Sequence, residues 1–364
     1  MDRDTVDVYE ARALEWRDDR TPAQSDDARS LAAAVERTGS TGPVLDAGCG
    51  PGWYSTDLGP RVVALDAAQA MLELAAELAP AAWPVRADLA HLPFARHALV
   101  GAFASKSYVH LPRSTLPLAW HDLHRCLAVD APVELVLFPG DDEHAPFPDD
   151  PFVGRRFSLW TRPLLDDVIV GAGFAITTIE AAGGTHTPKL VVRATRARTL
   201  ADTVGPGMRL LVCGLNPSIH AADAGVGFAR PGNRYWPAAL EAGIVSHDRD
   251  PVRALVDNGI GMTDLVKRAS PGAAELTRDE YAAGLARVAR MVVWLRPRAV
   301  CFVGLAGWRA AADRRAVAGV SDRTVGGRPV YVMPNTSGIN ASSSLDDLTE
   351  HLRAAVALAD RSPI

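Results

Sequence analysis

Twice in this chain a short apolar run breaks off into a glycine-rich turn, and that arrangement restricts the fold more than any other feature. The first case is Val44-Leu-Asp-Ala-Gly-Cys-Gly-Pro-Gly52, and the second is Leu211-Val-Cys-Gly-Leu-Asn-Pro-Ser218. Runs this short fit strands rather than helices. Glycine straight after a strand lets the backbone turn sharply, and lets a ligand come close where a Cβ would collide.

Around the first turn, strands alternate with helical patterns. Val44–Asp46, Val62–Asp66, Val85–Asp88, Gly101–Ala104 and Val133–Phe138 read as strands, with helices over Ser30–Arg37, Ala67–Leu78 and Leu116–Leu127. That alternation predicts a doubly wound, mostly parallel sheet. Phe174–Ile179 and Lys189–Arg193 read as a closing antiparallel pair. The Pro- and acid-rich tract 139–151 must be a loop. The alternation restarts at Leu210–Cys213, with further strands at Ala299–Val303 and Pro329–Met333. The helices expected there are Arg278–Leu295, Leu305–Arg315 and Leu345–Leu358. The expected organisation is a domain over 1–195, a polar linker over 196–208 ending in Gly-Pro-Gly, and a smaller α/β domain over 209–364. A chain of 364 residues is long enough for two cores.

Charge separates the halves. From Arg209 onward there are 19 Lys and Arg against 15 Asp and Glu, a balance of +4; the preceding residues carry 19 against 28, or −9. A polyanionic partner therefore belongs with the second half. The four cysteines stand alone, without CxxC spacing, which argues against disulfides, zinc and iron–sulfur clusters. No run approaches a membrane span and the first residues lack the order of a secretory signal, so the expectation is a cytoplasmic protein without membrane or metal partners.

In the first half, Asp46-x-Gly48-x-Gly50-x-Gly52 follows a strand and is expected to precede a helix whose amides favour an anionic group. A dinucleotide competes for such a turn. Asp66 closes the next strand, where a carboxylate can accept ribose hydroxyls, and Asp88 with Leu89 follows the third, where adenine would be recognised. Together these strand ends resemble the class I S-adenosylmethionine (SAM)-dependent methyltransferases, over roughly residues 7–195. The resemblance implies SAM as cofactor, bound by Asp46, Gly48, Gly50, Asp66, Asp88 and Leu89. His110 stands either as a general base or as a structural histidine. No motif for methylating a DNA base is present, so the expected acceptor is a small molecule.

In the second half, the Gly-Leu-Asn-Pro turn is followed by Gly225-Val-Gly-Phe-Ala-Arg-Pro-Gly-Asn-Arg-Tyr-Trp236. Gly261–Lys267, Ala299–Gly304 and Val332–Asn340 come after it in order. The four segments resemble the mismatch-specific uracil/thymine-DNA glycosylases, over about residues 209–358. The implied fold is a smaller uracil-DNA-glycosylase-like α/β domain behind a Rossmann-like methyltransferase sheet. Such an enzyme flips a base from the duplex and places water behind the sugar C1′. Asn216 would position the water, while Gly214, Phe228, Asn233 and Thr263 would bind the base. Asn233 and its neighbour Arg234 also fit a role in capping and packing. Gly338, Ile339 and Asn340 would enter the duplex as a wedge, with Asn340 on the widowed base. No cofactor is expected here, and the implied substrate is double-stranded DNA with a G·U or G·T mismatch.

Three departures bear on activity. Asn216 replaces the Asp of the fast uracil enzymes, and the insertion loop after Met333 carries no His, so chemistry should rest on positioning and turnover should be slow. Asp264 stands where a basic or neutral residue is usual. Ala341 replaces a cation after the wedge. The alternative function is a small-molecule methyltransferase whose glycosylase-like half only binds nucleic acid.

Overall fold

The computed structural model of the protein describes residues 2–147, 149–183 and 188–362. They divide into two compact units. One comprises Met1–Val170 with Phe174–Ala197, and the other Gly171–Gly173 with Arg198–Ile364. Among the described residues no helix is long and apolar enough to cross a membrane.

The first unit holds a seven-stranded sheet of β1 (Val44–Ala47), β2 (Val62–Asp66), β3 (Trp83–Arg86), β4 (Gly101–Ser105), β5 (Pro132–Leu137), β6 (Phe174–Ala182) and β7 (Lys189–Arg196). Their order is β3-β2-β1-β4-β5-β7-β6. The first five strands pair in parallel, and β7 runs antiparallel to both β5 and β6. The doubly wound sheet with an antiparallel edge is therefore as the alternation predicted. Register sets the site: Ala47 lies opposite Leu65, so the Gly48 turn leaves the sheet beside Asp66. Ligand sites in open α/β sheets form at this carboxyl edge.

Two expectations fail here. Residues 51–57 form successive turns rather than a helix after the glycine motif. Three glycines with left-handed backbone, Gly48, Gly50 and Gly52, interrupt helical geometry at its start. β3 ends at Arg86 rather than Asp88, so Asp88 lies in the following turn.

The second unit holds a five-stranded sheet of β8 (Leu210–Gly214), β9 (Ile260–Asp264), β10 (Ala299–Val303), β11 (Gly319–Val325) and β12 (Arg328–Met333), in the order β11-β12-β10-β8-β9. All its pairs are parallel except β11–β12. β11 escapes sequence reading because it is a largely exposed edge strand with the polar run Ser321-Asp-Arg-Thr. The helix Leu345–Arg361 covers the sheet with Leu348, Leu352, Ala355 and Ala359, all fully buried at helical spacing. Its start is set by Ser344 and Asp347, which bond reciprocally as a capping box. The helix expected over Leu305–Arg315 stops at Ala311.

The segment expected as a polar linker is instead packed into the second unit. Thr199, Leu200, Asp202, Thr203 and Val204 are buried, and Thr203 exchanges backbone hydrogen bonds with Met262 of β9. Its hydroxyls and carboxylate find internal donors and acceptors, which composition alone does not reveal.

Gly284 lies inside the helix Arg278–Leu295, and a Cβ there would stand 1.9 Å from the carbonyl oxygen of Leu265. Helix propensity alone favours alanine by about 1 kcal/mol. We expect the opposite sign: Gly284→Ala should destabilise by about 1–3 kcal/mol because backbone must move, as read by urea unfolding.

Candidate functional site

At the carboxyl edge of the first sheet lies a cavity of about 600 Å³. Gly48, Gly50 and Asp66 line it, as do Lys106 and His110. A side chain at Gly48 would place its Cβ 2.3 Å from that of Ser107, so only glycine lets the two loops meet. Asp66 accepts from the amides of Gly50 and Ala68, both at 2.9 Å, and burial raises its pKa. Its carboxylate thus holds the glycine loop as well as facing the cavity.

The other expected cofactor residues sit differently. Asp46 is buried beneath the loop, accepts from Ser55 Oγ at 2.7 Å, and is pushed up to about 7 by desolvation. It supports the turn and does not line the cavity. Asp88 and Leu89 also lie off the cavity: Asp88 accepts from the amide of Ala90 at 2.8 Å, and Leu89 is buried. The shifted end of β3 accounts for both.

His110 is buried on a 3₁₀ turn after β4. Its Nδ1 faces the carbonyl of Arg156 at 2.8 Å, which accepts only, so Nδ1 carries the proton. Nε2 is then the acceptor and takes the hydroxyl of Tyr9 at 2.9 Å. Tyr9 in turn accepts from Arg155, whose guanidinium is paired with Asp150. Desolvation lowers the His110 pKa to about 4, so the ring is neutral at physiological pH. Tyr9 and Arg155 come from segments to which the sequence attached no role.

In the second unit, the parallel register sets Gly214 at the end of β8 opposite Asp264 at the end of β9. A Cβ on Gly214 would lie 2.5 Å from Asp264 Oδ1 and 3.5 Å from Phe228 Cζ. Glycine, ring and carboxyl therefore converge at one spot. Phe228 is half-buried, has a left-handed φ of 58°, and stacks on Tyr235 with centroids 4.3 Å apart. A bulky residue in that conformation stores about 1–3 kcal/mol, which surrounding contacts must hold. Trp236 supplies one by donating its indole N–H to Gly227 O at 2.8 Å.

Asn216 follows two residues after Gly214. Its Nδ2 donates to Pro217 O, Arg268 O and Ser270 Oγ at 3.2, 3.1 and 2.9 Å. Since carbonyls accept only, the amide orientation is fixed, and Oδ1 accepts from none of the described residues. Ser270 is the positioning partner that the sequence did not disclose.

Three expected contact residues turn inward. Thr263 is buried, donating to Asp202 Oδ1 at 2.7 Å and accepting from Arg287 at 3.0 Å, so its hydroxyl serves the internal scaffold. Asn233 accepts from the amide of Tyr235 at 2.9 Å and so turns the chain just before the next helix. Asn340 donates to Asn335 O and accepts from Ser342, shaping its own loop rather than presenting its amide outward. Ile339 is 82% exposed at the tip. Gly338 permits the loop's approach, since a Cβ would lie 2.7 Å from Gly232 O. Arg234 binds the loop from below through Ser337 O, Asn340 O and Ser343 O.

Desolvation pushes the Asp264 pKa up to about 6, while Lys267 and Arg287 oppose that rise. Lys267 and Arg287 bond Asp202 directly, at 2.7 and 2.8 Å. Burial raises the Asp202 pKa, but the two cations outweigh it and keep the carboxyl below its ordinary value.

Comparison with known proteins matches two family models, a methyltransferase domain over residues 44–130 and the uracil DNA glycosylase superfamily over residues 201–358. Among solved structures, the chain is similar to a 1,6-didemethyltoxoflavin-N1-methyltransferase from Burkholderia thailandensis at 20% identity, covering 53% of this chain and 88% of that one, with a TM-score of 0.43. It is similar to magnesium protoporphyrin IX methyltransferase from Synechocystis at 17% identity, covering 54% and 98%, with a TM-score of 0.43. A SAM-dependent methyltransferase from Methanosarcina mazei is 17% identical over 43% and 92%, with a TM-score of 0.39. The chain thus joins a methyltransferase domain to a domain of the uracil DNA glycosylase superfamily.

Proposed function

We propose that the second unit excises uracil, or thymine opposite guanine, from double-stranded DNA, and that the first transfers a methyl group from SAM to a small molecule. The observation that carries the excision reading is the side chain of Asn216. Three acceptors fix its nitrogen, which leaves Oδ1 as an oriented acceptor for water. The water oxygen bonds to C1′ as the N-glycosidic bond breaks, its electron pair leaving with the base and the water's proton ending there. Amide oxygen is a weak base, so its contribution is alignment. Phe228 offers the flipped base the side of its ring turned away from Tyr235, and Ile339 on its Arg234-anchored loop fills the vacated stack.

Asp264 controls the leaving group in this mechanism. Ionised, it repels a departing pyrimidine anion. Protonated, it donates to a base carbonyl. Because the folded pKa is raised to about 6, the helpful form predominates only below that pH.

Asn216→Ala should lower release of uracil from a G·U duplex at least about 100-fold, read as alkali-labile strand breaks. Equal, background-level product from wild type and mutant would sink the excision reading. Asp264→Asn keeps the shape and gains a permanent donor. Its rate at pH 7.5 should rise about ten-fold or more, and the acid-side rise of the wild type through pH 6 should flatten. For the first unit, calorimetry should detect SAM binding that Asp66→Ala weakens by about ten-fold or more. Absence of heat with the wild type counts against a SAM site.

A further inference from the structure

The cavity of the first unit has two chemically different ends. The glycine turn and Asp66 form one. The other is a wall of rings, in which Phe147 and Phe157 stack 4.3 Å apart, Phe138 meets them edge-on at 5.5 and 6.1 Å, and His110 lies 4.9 Å from Phe157. At the margin of that wall stands Lys106, the residue after β4. Its backbone is left-handed, with φ 59°, and its amide donates to Val136 O at 2.9 Å, so the side chain leaves the sheet at a fixed place. The ammonium lies 6.0 Å from the centre of the Phe138 ring.

Lys106 is half-buried, lines the cavity, and its ammonium makes no hydrogen bond or ion pair with any described residue. The nearby carboxylates are engaged elsewhere. Asp150 pairs with Arg155, Asp27 with Lys189 and Arg193, and Asp66 with two amides. Asp149 is exposed. Burial, with Lys189 and Arg20 as positive neighbours, pulls the Lys106 pKa down. An unpaired cation in that setting is costly unless an incoming anion meets it. Flat aromatic surface and one positive charge together define what fits: a ring system to lie on the phenylalanines, with an acidic group at its edge.

We infer that the methyl acceptor of the first unit is a planar aromatic compound carrying a carboxylate or similar anionic group, held by Lys106 against the wall of Phe138, Phe147 and Phe157. This rests on reading the glycine end as the SAM site.

The test uses the full chain saturated with S-adenosylhomocysteine, titrated with 2-naphthoate and its neutral analogue 2-naphthamide. Naphthoate should bind at least ten-fold more tightly. Lys106→Gln should abolish that preference and Lys106→Arg keep it, with affinity for S-adenosylhomocysteine unchanged in both. Equal affinities for the two probes, including no binding by either, overturn the proposal. So does a Lys106→Gln protein that loses S-adenosylhomocysteine instead of naphthoate, which would assign the ammonium to the methionyl carboxylate. If S-adenosylhomocysteine itself gives no heat, the SAM reading fails separately, and the same pair of titrations on the ligand-free protein still decides the role of Lys106.

Discussion

The carboxylate of Asp202, 2% exposed, organises the second unit's site. Lys267, Arg287 and Thr263 all converge on it, and Arg287 reaches on to the carbonyl of Asp264. An isolated buried charge would be prohibitive, but a carboxylate with this many donors is satisfied, and removing one partner of such a group costs about 3–5 kcal/mol. The cluster pins the end of β9, and through the parallel register it pins Asp264 against Gly214. The end of β9 is therefore held by buried charges that converge on Asp202.

Asn216 and Arg234 act by the same logic in loops. A side-chain amide is useful for aligning water only if it cannot rotate, and three acceptors on one nitrogen remove that freedom. The wedge role proposed for the exposed Ile339 requires a loop that resists collapse, and the guanidinium of Arg234 bonds three carbonyls of that loop. In the first unit, the glycine turn is held by Asp66 and Asp46 from beneath, while Arg155, Tyr9 and His110 form a chain of hydrogen bonds along the cavity. Desolvation keeps His110 neutral, so its unprotonated Nε2 serves as the acceptor for the Tyr9 hydroxyl.

Much of the frame was legible from local pattern. Short apolar runs ending in glycine marked β1 and β8, and helical spacing marked the last helix. The edge strand β11 was not, because exposed polar residues carry no alternation of burial to read. Thr263, Asn233 and Asn340 were read as contact residues because the segments that carry them resemble glycosylase motifs. In the folded chain each bonds internally, to Asp202, Tyr235 and Asn335. The supposed linker failed for the same reason: its polar residues are those the second unit needs as internal partners.

The sequence by itself determined the first sheet, three strands of the second, the glycine turns and the residue types at the carboxyl edges, because these follow from periodicity and from the conformations only glycine adopts. Tertiary structure alone decided which polar groups face a cavity and which are consumed as scaffold. Asp202 meets Thr263 across 61 residues, and Arg155 meets Tyr9 across 146. Whether a hydrogen-bonding group is free depends on partners brought from such distances, and no local pattern carries that information.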